Sequence, residues 1–160
     1  MTKSTETPWI KTASRNKGRG ISSRSINSSL IQYAEKDIPT AEVLAANTTP
    51  VEIIPAPGAG YVIEFISAVM ILDYNTAAYA ASRTCHFEYA SGGTTVSDTV
   101  AAAAFTNQSD DCIEVCQALS AEVELTANSG IYWALDTGDE TTGDSPVRIK
   151  VAYRVHATGL

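Results

Sequence analysis

The stretch VEIIPAPGAGYVIEFISAVMILD, residues 51–73, contains a short apolar run, a stiff loop and a long apolar run. Pro55 and Pro57 in the loop each fix φ near about −65° and remove a backbone donor. Gly58 and Gly60 allow the positive φ values that a tight reversal needs. The stretch therefore predicts two β-strands joined by a rigid connection.

The second of these runs, residues 61–72, decides the fold class because it is apolar on both faces of a pleated strand. Only Glu64 and Ser67 interrupt it, which is typical of a buried strand in a sandwich or barrel. At this length it exceeds the usual strand of about 5–6 residues. We therefore expect a bend or bulge near Ser67 and Ala68.

The remaining chain reads as further short strands between Gly, Pro and Asn turns. Residues 147–156 alternate strictly between apolar and polar side chains, which places one strand face in the core. Further strands are predicted at residues 83–89, 94–100, 112–119, 121–127 and 131–136. Helical turns are predicted at 42–46, capped by Thr40, and at 101–104. About eight strands without a long helical period predict an all-β fold, an antiparallel β-sandwich or jelly roll.

Charge divides the chain into two parts. Residues 1–34 carry six Lys and Arg against one acidic residue, a net charge of +5, and residues 35–160 carry five against 17, a net charge of −12. A polar basic segment cannot build a core of its own. We therefore predict an extended basic N-terminal arm over residues 1–37 and a β-sandwich domain over residues 38–160.

Such an arm is expected to dock on something acidic, such as another copy of the same body. The isolated pair Trp9-Ile10 fits an anchor in a partner's groove, since aromatic residues are enriched at interface hot spots. We do not expect nucleic acid as a partner, because the arm has few aromatic residues for stacking and no folded recognition element. The predicted partner-binding residues of the arm are Trp9, Ile10, Arg15, Lys17, Arg19 and Arg24.

No pattern predicts catalysis, a cofactor or a bound metal. Cys85 and His86 are adjacent in a predicted strand, so their side chains should diverge and cannot form a nucleophile–base pair. Cys112 and Cys116 lack the second ligand pair that a zinc site needs, and buried free thiols are the better interpretation. The protein is therefore predicted not to be an enzyme.

Two groups of acidic residues each have two interpretations. Glu122 and Glu124 should be solvated or paired with the cations of the last strand, Arg148, Lys150 and Arg154. The loop at residues 136–144 offers the hard oxygens that calcium prefers. It lacks the spacing of a calcium loop, so a plain acidic loop is favoured.

The cysteines and the apolar runs indicate where the protein is made. An odd number of cysteines, three, argues against a closed disulfide framework. The polar N-terminus shows no secretory signal, and we find no run long enough to span a membrane. We expect assembly in a reducing host cytoplasm and no membrane partner.

The order IPTAEVLAANTTPVEIIPAPGAGYVIEF at residues 38–65, ILDY at 71–74 and VRIKVAYRV at 147–155 resembles small β-sandwich virion structural proteins of tailed bacteriophages. The resemblance implies a non-enzymatic role in the virion, in many copies and often with threefold symmetry. It implies as partners the chain itself, as a homotrimer, and other virion proteins such as the major capsid protein. No site residue follows from it.

The first hypothesis is therefore a capsid decoration, cement or head-associated protein that binds neighbouring subunits through its arm. Deleting residues 1–34 should then leave a folded body that no longer joins the particle. The alternative hypothesis is a tail, neck or fibre component, such as a module that binds host glycans through Tyr74, Tyr79 and Trp133. Packing of Trp133 in the core is the more favoured interpretation of that residue, since large aromatic side chains dominate cores.

Overall fold

A computed structural model describes residues 30–121 and 123–158. In these residues the chain forms two antiparallel sheets packed as a β-sandwich, which confirms the predicted fold class. The strands are β1 (Gln32–Ile38), β2 (Val51–Ile54), β3 (Tyr61–Leu72), β4 (Cys85–Tyr89), β5 (Cys112–Gln117), β6 (Ile131–Leu135) and β7 (Val147–Ala157). The helical elements are α1 (Thr40–Leu44), which overlaps the predicted turn at 42–46, and a 3-10 turn (Ala102–Ala104), which lies within the predicted turn at 101–104.

The long strand β3 organises the larger sheet. This sheet has four strands in the order β1-β7-β3-β5, and the smaller sheet has three in the order β2-β6-β4. β3 pairs with β7 along its length and with β5 over its second half. The register with β7 shifts between Phe65 and Ser67, which leaves Ile66 as the extra residue. The expected bulge is thus confirmed, one residue before the predicted position.

The core between the sheets is aromatic. Phe65 of the larger sheet stacks on Phe87 of the smaller one, with ring centroids 5.0 Å apart. Trp133 lies fully buried on β6 between Val51 and Phe87 in the cross-strand register. The interpretation of Trp133 as a core residue is confirmed.

Two predicted strands are not regular strands in the structure. Residues 94–100 cross from one sheet to the other: the backbone N–H of Val96 donates to Phe87 of β4, and that of Asp98 donates to Gln117 of β5. Only isolated bridges form, because the segment changes partner too quickly to build a ladder. Residues 121 and 123–127 form no strand, and apart from the partly buried Val123 they are exposed, so this prediction was also wrong.

Strand β1 includes residues 32–37, which the charge pattern had placed in the arm. They pair with β7 from Gln32 opposite Tyr153 to Ile38 opposite Val147. The strand forms despite its polar sequence because its inward residues Gln32, Ala34 and Lys36 are only half-buried, and the Lys36 ammonium donates to the carbonyl of Glu52 on β2. The arm residues Trp9, Ile10, Arg15, Lys17, Arg19 and Arg24 lie outside the described residues.

Candidate functional site

The outer face of the four-stranded sheet carries a regular array of side chains. Cross-strand register aligns them in three rows, each running from β1 through β7 and β3 to β5. The rows are Asp37, Arg148, Ile71 and Ile113; Glu35, Lys150, Val69 and Val115; and Tyr33, Ala152, Ser67 and Gln117. We call these twelve residues the outer face. Its β1–β7 half is charged in two rows, and its β3–β5 half is apolar in the same two rows.

The charged half is internally paired. The guanidinium of Arg148 donates from Nη2 to Oδ2 of Asp37 at 3.1 Å and also bonds Oδ1 through Nε. Lys150 Nζ lies 3.6 Å from Oε2 of Glu35. The hydrogen bond from Arg148 lowers the pKa of Asp37, and Asp37 in turn raises the pKa of Arg148. These charges neutralise one another on their own sheet and leave little net field for a ligand.

Of the two alternatives expected for Glu124, solvation or pairing with the β7 cations, the structure shows solvation. Glu124 is exposed outside any strand, whereas Arg148 and Lys150 face the carboxylates of β1. Arg154 lies 3.4 Å from Oε2 of Glu64 on β3. The side chain of Glu122 lies outside the described residues. Because β1 was assigned to the arm, its carboxylates were not considered as partners.

The apolar half ends at an edge strand. Ile113 and Val115 of β5 are 66% and 48% exposed, beside half-buried Ile71 and Val69. The carbonyl of Gln117 accepts from Asp98 on the side away from β3. Ile113 and Val115 share the parity of Gln117, so their backbone groups also point away from β3. Among the described strands β5 is the last of its sheet, and an exposed apolar edge of this kind invites pairing with another chain.

A groove of about 680 Å³ opens at the end of the same sheet, where β1 and β3 end and β5 and β7 begin. Its apolar wall includes Ile71 and Ile113 of the outer face. Three carboxylates line it against a single guanidinium, those of Asp37, Asp73 and Asp111 against Arg148. The groove therefore combines apolar surface with a formal excess of negative charge.

The acidic loop at residues 136–144 binds the chain's own backbone. Asp139 accepts from the N–H groups of Asn47 and Thr48 at 3.0 and 2.8 Å. Buried Glu140 accepts from Ala81 and Arg83 at 2.8 and 2.9 Å. These carboxylate oxygens accept hydrogen bonds from backbone N–H groups. An N–H group cannot bind calcium, so the carboxylates do not face a set of calcium ligands. The structure thus gives the loop a role as a clasp between connections of the body.

Asp144 completes this clasp at the turn after β3. It accepts from the backbone N–H groups of Thr76 and Ala77 at 3.0 and 2.9 Å and from the hydroxyl of Thr76. These bonds, led by the one from the Thr76 hydroxyl, lower the pKa of Asp144. The bond from the hydroxyl of Thr48 does the same for Asp139.

We expect Asp144→Asn to lower the melting temperature at about pH 7, and the difference from the wild type to shrink as the pH falls below about 4. The folded pKa of Asp144 lies below its ordinary 3.8, so its stabilisation is present above that value and is lost as acid protonates the folded carboxyl. Thermal unfolding across this pH range measures the effect. Glu124→Gln, at an exposed position, is the matched control. A constant difference at all pH values would contradict the assignment.

Cys85 and His86 diverge as expected. Cys85 is buried in the core, and burial raises its pKa. The ring of His86 lies on the opposite face, with Nε2 3.5 Å from Glu88 and Nδ1 3.3 Å from Asp136. Burial likewise raises the pKa of Cys112 and Cys116, and both thiols are free. The described residues contain no group of three or more His, Cys, Asp or Glu side chains arranged to hold a metal ion.

The aromatic residues considered for glycan binding do not form a surface. Trp133 and Tyr79 are fully buried, and the hydroxyl of Tyr79 donates to the carbonyl of Ser145. Tyr74 alone is half-buried at a loop. The expectation that the three rings line a groove is therefore wrong for two of them.

No protein-family model matches this chain, and no curated protein sequence matches it. Among solved structures, a chain of the cyanophage Pam1 capsid asymmetric unit is similar, with a TM-score of 0.45 and 15% sequence identity. The alignment covers 78% of this chain and 84% of that chain. Within residues 30–121 and 123–158, no helix has the length and apolar character to cross a membrane.

Proposed function

We propose that this chain is a non-enzymatic structural protein of a bacteriophage particle, a decoration, cement or head-associated protein. It binds neighbouring subunits through the outer face and its N-terminal arm, as a homotrimer that also contacts other virion proteins. The resemblance of residues 38–73 and 146–155 to phage virion proteins supports a location in the virion.

The observation that carries the proposal is the exposed apolar half of the outer face. Val69 and Ile71 on β3 are half-buried. Ile113 and Val115 on β5 continue this apolar surface to the edge of the sheet. An edge strand that presents β-branched apolar residues is a liability for a monomer, and natural sheets usually blunt such edges with charge. Burial against another subunit removes the liability and stabilises the assembly.

The negative charge of the body disfavours an interface formed by two bodies without their arms. Between Arg83 and Arg148 the chain has no Lys or Arg and eleven acidic residues. Two such surfaces repel each other unless basic groups lie between them. The basic arm supplies those groups, which is why the proposal gives the arm and the face a joint role.

Val115→Lys should weaken self-association by about tenfold or more, because a lysine on an edge strand blocks strand addition and carries charge into the interface. Sedimentation equilibrium of the full chain measures the change in the association constant. The circular dichroism spectrum should not change, since Val115 is 48% exposed in the described structure and its replacement leaves the body folded.

The matched control is Leu125→Lys, at an aliphatic residue that is 59% exposed and lies outside the outer face. This variant should associate like the wild type. Equal association of the wild type and Val115→Lys would overturn the assignment of the outer face as the interface. A strictly monomeric wild type would overturn self-assembly altogether.

A further inference from the structure

The groove at the end of the four-stranded sheet selects for a particular kind of occupant. Ile71 and Ile113 give it apolar surface, and Asp73 and Asp111 join the Arg148-paired Asp37 around them. Asp73 is exposed, so its carboxylate is available to a ligand. An occupant must therefore present a large apolar side chain close to a positive charge. A second acidic body does not meet this requirement.

We propose that the groove binds the segment around Trp9, Ile10 and Lys11 from the arm of a neighbouring copy. In residues 1–29 this is the one place where an aromatic, a β-branched and a cationic residue are consecutive. Trp9 or Ile10 packs against Ile71 and Ile113, and the ammonium of Lys11 lies near the Asp73 carboxylate. This inference rests on the proposed function and adds to it the binding site of the arm.

The reach of the arm permits this connection between subunits. The described chain begins at Leu30, beside the start of β1, whereas the groove lies at the other end of that strand. Twenty residues separate position 10 from position 30, which span at most about 66 Å when extended. That length exceeds the diameter of a body of this size, whose radius of gyration is about 14 Å.

The surface where the arm leaves the body is also apolar. Leu30, Ile31 and Tyr33 are 55%, 43% and 78% exposed. Single exposed apolar residues are ordinary on protein surfaces, but three within four positions form a patch. Contact with the neighbouring subunit covers this patch when the arm passes across, so the root and the tip of the arm both gain apolar burial.

A disulfide test separates a neighbouring copy from the chain's own body. Full-length Ile10→Cys is mixed with a differently tagged full-length Ile113→Cys chain under mild oxidation. We expect a disulfide-linked heterodimer on a non-reducing gel. The matched control replaces the second chain by Leu125→Cys, whose exposed side chain lies outside the groove, and it should give little product. Ile10→Cys with the wild type reports any reaction with native thiols.

Sedimentation of the same samples gives their oligomeric state, which distinguishes failure of the groove assignment from failure of the proposed function. An oligomer that cross-links equally to positions 113 and 125, or to neither, overturns the groove assignment and leaves the proposed function standing. A link formed only within a chain that carries both Ile10→Cys and Ile113→Cys shows that the arm binds its own body, and it overturns the inference. A monomer without cross-links overturns both.

A charge exchange gives an independent measurement. Asp73→Lys should weaken self-association by about two- to fivefold, the range of an exposed ion pair. Adding Lys11→Glu should restore the lost affinity if these two groups meet. Additive losses in the double variant would contradict the contact.

Discussion

Trp133→Ala is expected to lower the free energy of unfolding by about 3–5 kcal/mol, because the substitution removes a fully buried indole and leaves a cavity. Trp133 lies on the central strand of the smaller sheet, opposite Val51 on one side and Phe87 on the other. Neither neighbour can fill the space without distorting the ladder. Urea denaturation of the full chain measures the loss, with the slope of the transition as a check on two-state behaviour.

Leu125→Ala is the control, since this leucine is 59% exposed, lies outside the outer face and should change stability by less than about 0.5 kcal/mol. Trp133→Phe keeps most of the ring and provides a folded variant if the alanine variant does not fold. The result also bears on the glycan hypothesis. A stable Trp133→Ala protein that had lost binding to sugars would place the ring at a surface, against the burial described above.

The sequence predicted the architecture best where burial imposed a pattern. The run at residues 61–72 and the alternation at 147–156 became β3 and β7, because a core-facing strand requires apolar residues at fixed positions. Residues 32–37 lack such a pattern, because the inward face of β1 carries the polar Gln32 and Lys36 beside Ala34, and all three are only half-buried. Net charge sets residues 1–34 apart in the sequence, but it could not show that the first strand of the body begins at Gln32.

The candidate interface was not predictable, because it is created by register. Ile71 and Ile113 are adjacent only when β3 pairs with β5, and the sequence of β5 alone, CIEVCQ, has apolar residues on both faces. The sequence of β5 alone therefore does not show which face of the strand remains exposed. The clasp formed by Asp139, Glu140 and Asp144 was equally hidden, since its partners are backbone N–H groups far away in sequence.

Deletion of residues 1–29 is expected to abolish self-association and to leave the sandwich folded. The cut must stop there, because a deletion to residue 34 also removes Gln32, Tyr33 and Ala34 from β1, where they pair with β7. The deleted segment carries six Lys and Arg and one Glu, so the net charge falls from −7 to −7 − 5 = −12. Bodies with this charge repel one another, and the proposed anchor at Trp9 is lost.

Sedimentation equilibrium and circular dichroism of the deletion variant measure assembly and folding separately. Deletion of residues 1–7 is the matched control, because it removes one Lys and one Glu, keeps the net charge and retains Trp9. This shorter deletion should assemble like the wild type. Raising the salt concentration should weaken association of the full chain, since screening reduces attraction between the arm and the acidic body. A body lacking residues 1–29 that still assembles at wild-type concentrations would show that the outer face suffices, and the arm would then have no part in assembly.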